Sequence, residues 1–187
     1  MACQTYRLNH PELPDGNVVC ADIREFSIEE LRARLGDRRL DILAGAPPCQ
    51  GFSVAGMRSR AVRIAETLRG YSFATDQRNY LYQYLVGAAR VLRPRVVLME
   101  NVPGMDTRRR GARSFMEEAA FLLGECGYRT AIWRMDAAAH GVPQRRLRCI
   151  LVAVDGDSPP ARPATDYQDP QASFPDPDAL PPVALEA

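Results

Sequence analysis

Lysine is absent from this chain: all 24 of its Lys and Arg positions are arginine, against 23 acidic residues, for a formal net charge of +1. Such neutrality argues against a nonspecific electrostatic coat on nucleic acid, which needs a surplus of cations to release counterions. It leaves specific phosphate contacts open, and the planar guanidinium is the better donor for those. An arginine-for-lysine bias with abundant alanine is equally what a GC-rich genome produces, so charge serves only as a class prior. Cysteine is sparse, at positions 3, 20, 49, 126 and 149. The count is odd, with no C-x-x-C pair or histidine-rich stretch, which suggests neither a disulfide framework nor a zinc site. No apolar run approaches the roughly twenty residues that cross a bilayer. The start lacks a charged-then-apolar leader, and a reducing cytoplasm is the expected compartment.

What is present is an alternation of helix and strand patterns. Cys3 to Asn9 reads as the last turns of a helix ended by His10-Pro11, because proline disfavours helical geometry before it. Val18 to Ala21 reads as a short buried strand ending at Asp22. Ser27, with Glu30 three residues on, is a capping signature for a helix to about Leu35. Leu40 to Ala44 is a strand, and 51–76 is a Gly- and Arg-rich stretch too long for an ordinary connection. Within it, Ala61, Ile64, Ala65 and Leu68 have the spacing of an inserted helical turn or, equally, of a plain surface insertion. Leu81, Leu85, Ala88, Ala89 and Leu92 recur at helical spacing before Pro94, and the strand Val96 to Met99 follows.

Ser114 to Gly127 is an amphipathic helix, and Thr130 to Met135 and Arg148 to Val154 are strands. The pattern predicts one α/β domain, a doubly wound sheet with helices on both faces over residues 1–155. Residues 156–187, rich in proline, aspartate and alanine, read as a tail or linker.

Three clusters carry chemistry. Cys49, in Ala46-Pro47-Pro48-Cys49-Gln50-Gly51-Phe52-Ser53, leaves the strand Leu40 to Ala44 on a turn, where backbone N–H groups and nearby cations favour a thiolate. A buried structural cysteine is the competing reading, but the flanking prolines and glycine fix a backbone that a core strand does not need. Glu100 closes the strand Val96 to Met99, and a carboxylate at the edge of a nonpolar crevice suits a general acid. The competing reading is a capping or salt-bridged glutamate. Arg146 and Arg148 alternate onto one face as the chain enters its last strand, where they could hold a phosphate and a base edge. In an α/β sheet the carboxyl ends of the strands open into the ligand crevice, so a nucleophile and an acid there face one substrate.

These motifs, Pro-Cys-Gln-x-Phe-Ser, then Glu-Asn-Val, then Gln-x-Arg-x-Arg, in that order and at these separations, resemble the catalytic core of the DNA cytosine-5 methyltransferases. Asp22-Ile23 and Asp76-x-Arg78-Asn79-x-Leu81 match two further segments, so the resemblance runs from residue 3 to about 154. It implies a Rossmann-like, S-adenosyl-L-methionine-dependent methyltransferase sheet. Cys49 would add to C6 of a flipped-out cytosine while Glu100 engages N3, and C5 would take the methyl group. Arg146 and Arg148 would steady the base and the thiol-bearing loop. Gln50, Ser53 and Arg78 would touch DNA. Asp22 would meet the adenine amino group, with Ile23, Pro48 and Leu81 packing around the adenine.

The family's first strand, its glycine loop under the cofactor, and the recognition domain have no counterpart in these residues, and Phe174-Pro175-Asp176-Pro177 is similar to the start of the connection to that domain. The resemblance therefore implies a core fragment that alone binds cofactor weakly or not at all, or one chain of a split enzyme completed by another. A transfer-RNA substrate, as in a related branch, and an inactive remnant are the alternatives. Thymidylate synthases share a Pro-Pro-Cys context, but histidine follows their cysteine, where Gln50 stands here.

Overall fold

The computed structural model describes residues 2–14, 16–48, 77–107, 109–159, 161–165 and 167. Along them run α1 (Ala2–Asn9), α2 (Ile28–Leu35), β1 (Ile42–Gly45), α3 (Tyr82–Leu92), β2 (Val96–Asn101), α4 (Gly104–Thr107), β3 (Arg109–Arg110), β4 (Arg113–Ser114), α5 (Phe115–Glu125), β5 (Arg129–Asp136) and β6 (Leu147–Val154). Short 3-10 turns occupy Gln77–Tyr80 and Ala137–His140. Cys49, Gln50, Ser53 and the insertion around residues 58–73 lie outside the described residues.

Local chemistry explains the helix starts. Ser27 Oγ accepts the Glu30 backbone N–H at 3.2 Å and begins α2. At α5 the device is reciprocal: Ser114 Oγ accepts the Glu117 N–H at 3.0 Å, and the Glu117 carboxylate accepts the Ser114 N–H at 2.6 Å. Both satisfy donors that a helix start leaves without an internal partner. Arg93, at φ 48°, closes α3 before Pro94.

The main sheet has the order β1-β2-β6-β5, with β1 and β2 parallel and β6 antiparallel to both of its neighbours. Alternation along β2 buries Val97, Met99 and Asn101. Val97 and Met99, with Cys149, Leu151 and Ala153 of β6, meet Tyr82, Val86 and Ala89 of α3 and Phe115, Met116 and Leu123 of α5, forming the core. Phe115 meets Tyr82 edge-on, at 6.4 Å and 86°.

Helices α2, α3 and α5 pack side by side, with α3 and α5 against the sheet face that Val97 and Met99 occupy. The reason is the direction of winding. The crossovers β1 to β2 and β2 to β5 both advance the same way across the sheet, and right-handed crossovers that advance the same way put their helices on the same face.

The expected strand Val18 to Ala21 does not form; the segment is irregular, and Val19, Cys20 and Ala21 are exposed. No described strand lies beside it to take up its backbone groups. The Arg7 guanidinium caps the Val18 carbonyl instead. Beyond β6 the chain returns to the Ala137–His140 turn: the Tyr167 N–H donates to Ala139 O at 3.3 Å. Its ring lies 3.0 Å from where a Cβ on Gly141 would stand, and Gly141 has φ +83°.

Candidate active site

Topology brings the predicted residues to one edge. Parallel β1 and β2 end there, antiparallel β6 begins there, and β5 ends opposite that beginning, with Asp136 paired to Leu147. Pro47-Pro48, Glu100-Asn101, Asp136 and Arg146 to Arg148 therefore converge, and residue 48 leads directly into Cys49.

Glu100 is a strand residue, since β2 runs on through Asn101. Alternation sends Asn101 inward and Glu100 to the opposite face, with 43% of its side chain exposed. Arg148 reaches that face from β6, its Nε 2.6 Å from Glu100 Oε1. The carboxylate thus sits in a close ion pair. The apolar crevice expected from the preceding valines and leucine is not its environment, because those side chains alternate between the two faces.

Asn101 was not among the residues singled out by sequence. It is 2% exposed, its Nδ2 donates to Pro47 O at 3.0 Å, and its Oδ1 accepts the Val102 N–H at 2.9 Å. One buried amide therefore fixes the exit of β1 against the exit of β2. An asparagine before Val-Pro-Gly has the sequence signature of a turn former, and only its inward register shows the tie.

Arg146 and Arg148 do not share a strand face as expected. Strand β6 starts at Leu147, and Arg146 precedes it, exposed, with its N–H on Asp136 Oδ1 at 3.0 Å. Asp136 organises this turn: it also accepts the Ala138 N–H at 3.2 Å and the Arg145 Nε–H at 3.0 Å. Burial pushes the Asp136 carboxyl up, but the Arg146 and Ala138 N–H groups and the Arg145 guanidinium outweigh it and hold it below the ordinary value. Cys149, beside Arg148, points into the core instead. Burial, with help from Asp106, pushes its thiol up to about 11, the condition of an inert structural cysteine.

Beside the edge lies a cleft of about 330 Å³ between β1, α2 and α3, lined by Ile23, Phe26, Pro47, Pro48, Leu81 and Tyr84 among others. Three of the four expected cofactor residues meet in it. Its floor is close, since a Cβ on Gly45 would stand 2.9 Å from Leu85 Cδ1. Asp22, next to Ile23, is exposed, and its carboxylate is gripped by the Arg24 side chain and backbone N–H, which bring it down to about 2. Arg78 is exposed on the Gln77–Tyr80 turn that leads into Leu81.

The sequence model of the family described as C-5 cytosine-specific DNA methylase matches residues 1–181. The chain is 33% identical over 150 residues to Type II methyltransferase M1.HphI of Haemophilus parahaemolyticus, covering 80% of this chain and 36% of that protein. To Type II methyltransferase M.XorII of Xanthomonas oryzae pv. oryzae it is 31% identical over 188 residues, covering 96% and 40%. It therefore spans two-fifths or less of the length of these relatives. Among solved structures, a DNA modification methyltransferase described as encoded within an E. coli prophage superposes with a TM-score of 0.59 at 26% identity, over 82% of this chain and 37% of that one. The S. pombe Dnmt2 methyltransferase shares the fold, with a TM-score of 0.54 at 21% identity over 84% and 40%. No described helix is long and apolar enough to cross a membrane.

Proposed function

Because this chain belongs to the C-5 cytosine-specific DNA methylase family, we propose that it carries the catalytic core of an enzyme that methylates C5 of cytosine in DNA. The observation that carries this reading is the convergence at one sheet edge of the Glu100–Arg148 pair and the Pro47-Pro48 lead into Cys49, tied together by Asn101. The Type II methyltransferase relatives favour DNA over transfer RNA as substrate. With relatives more than twice as long, full turnover is assigned to an assembly in which further polypeptide, in cis or as a complementing chain, joins these residues.

In the proposed reaction the Cys49 thiolate adds to C6 of an extruded cytosine, because attack there is blocked inside a stacked duplex. Glu100 meets N3, and Arg148 holds the Glu100 carboxylate in place until the base arrives. Asp136 presents the Arg145-Arg146 turn beside the same edge. S-adenosyl-L-methionine supplies an electrophilic methyl group when bound. The cleft suits its adenine: the walls from Ile23, Pro48 and Leu81 are apolar, and its volume falls in the range of small-molecule sites. Asp22, ionised and acceptor-only, is matched to an amino group.

The test is mass spectrometry of the chain, alone and with complementing polypeptide, after incubation with 5-fluorocytosine duplex and cofactor. A protein–DNA adduct mapping to Cys49 is expected, and Cys49→Ser should abolish both adduct and methyl transfer while DNA affinity persists. Turnover surviving in Cys49→Ser would remove the nucleophile assignment.

A further inference from the structure

Outside this site, the two cysteines nearest the N-terminus lie together. Cys3 and Arg7 are four residues apart on α1 and so share one helix face. Arg7 donates to the carbonyl of Val18, which brings the chain to that face two residues before Cys20. The Cys3 and Cys20 side chains are neighbours, and the presence of Cys20 raises the Cys3 thiol above its ordinary value. Cys3 is half-buried and Cys20 exposed, so the pair is open to small oxidants from the Cys20 side. Cys20 lies three residues before Ile23, which lines the apolar cleft.

We propose that Cys3 and Cys20 form a redox modification site, closing to a disulfide that staples α1 to the loop carrying Asp22 and Ile23. With hydrogen peroxide as oxidant, the Cys20 thiolate attacks one peroxide oxygen, the O–O bond breaks, and hydroxide leaves to be protonated to water. The resulting Cys20 sulfenic acid is attacked by the Cys3 sulfur, and the S–O bond breaks. Its hydroxide takes up the Cys3 proton as a second water. Two electrons pass from the two sulfurs to the peroxide, and a thiol reductant reverses the step. Attack through the exposed partner, with the neighbouring thiol resolving, is the arrangement found in reversible thiol sensors.

The experiment is peptide mapping without reductant after brief peroxide treatment of the folded chain, with a parallel sample in urea. The expected result is one linked pair of peptides containing Cys3 and Cys20, lighter by two hydrogens, lost on adding dithiothreitol. It should accumulate at least tenfold faster in the folded chain than in urea, where proximity is gone. Cys3→Ser should instead leave a sulfenic acid on Cys20 that a dimedone probe captures. Linkage no faster folded than unfolded, or a folded-state disulfide joining other cysteines, would overturn the proposal. Neither outcome depends on methyl transfer, so the proposed function stands or falls separately.

Discussion

Val18-Val19-Cys20-Ala21 and Val96-Val97-Leu98-Met99 are closely similar as sequence, each a short apolar run opening on two valines, yet they have opposite fates. The second is the buried strand β2, with Val97 and Met99 fully enclosed. The first is irregular, and Val19 is 49% exposed. Intrinsic strand preference is the same, so the difference lies in neighbours. Strand β2 has a hydrogen-bonding partner on each side and α3 and α5 over one face, whereas the first run has no described strand to pair with. Propensity for β structure measures fit to an existing sheet more than a property of the segment.

The comparison can be broken most sharply at its buried end. Met99→Ala removes a fully enclosed side chain and should lower stability by about 2–5 kcal/mol, read from the urea midpoint at constant slope. A loss under about 0.5 kcal/mol would mean that the β2 core is looser than its packing implies. Asn101→Ala comes next. It strands the Pro47 carbonyl and the Val102 N–H, at an expected cost of roughly 1–3 kcal/mol. If proteolysis at residues 46–48 is also accelerated in that variant, the amide specifically anchors the exit of β1.

Asp136 sharpens the comparison through pH. Its folded-state carboxyl titrates below the ordinary value, so its contribution is fully present above about 3.9, the unfolded carboxylate value. It is lost as pH falls through the lower folded value. Stability of the wild type should therefore fall across that acidic window more steeply than stability of Asp136→Asn, followed by denaturation at a series of pH values. Equal slopes would remove Asp136 as the organiser of the Arg145-Arg146 turn. At the other end, Val19→Ala should change stability by no more than about 0.5 kcal/mol in this chain. A larger loss once complementing polypeptide is added would show that the exposed run becomes buried on assembly.

Much of the site was legible because its motifs mark strand ends, and strand ends in parallel sheets share an edge. The side chains of Glu100 and Arg148, both read as lying at strand ends, meet at one edge, and Ile23, Pro48 and Leu81 line one cleft. Asn101 and Asp136 were missed because a buried polar group betrays itself only through partners distant in sequence: Pro47 is 54 residues from Asn101, and Arg146 is ten from Asp136. The expectation that Arg146 and Arg148 share a strand face failed for a related reason. Alternation holds only inside a strand, and the Asp136 hydrogen bonds keep Arg146 outside it.

The sequence alone determined where α2 and α5 begin, since Ser27 and Ser114 cap through contacts three residues away, and it determined the order of motifs and hence the family. Tertiary structure decided which apolar runs became strands, which face received the helices, and that Glu100 meets a guanidinium. Those outcomes depend on pairing between segments far apart in the chain, and no local preference carries that information.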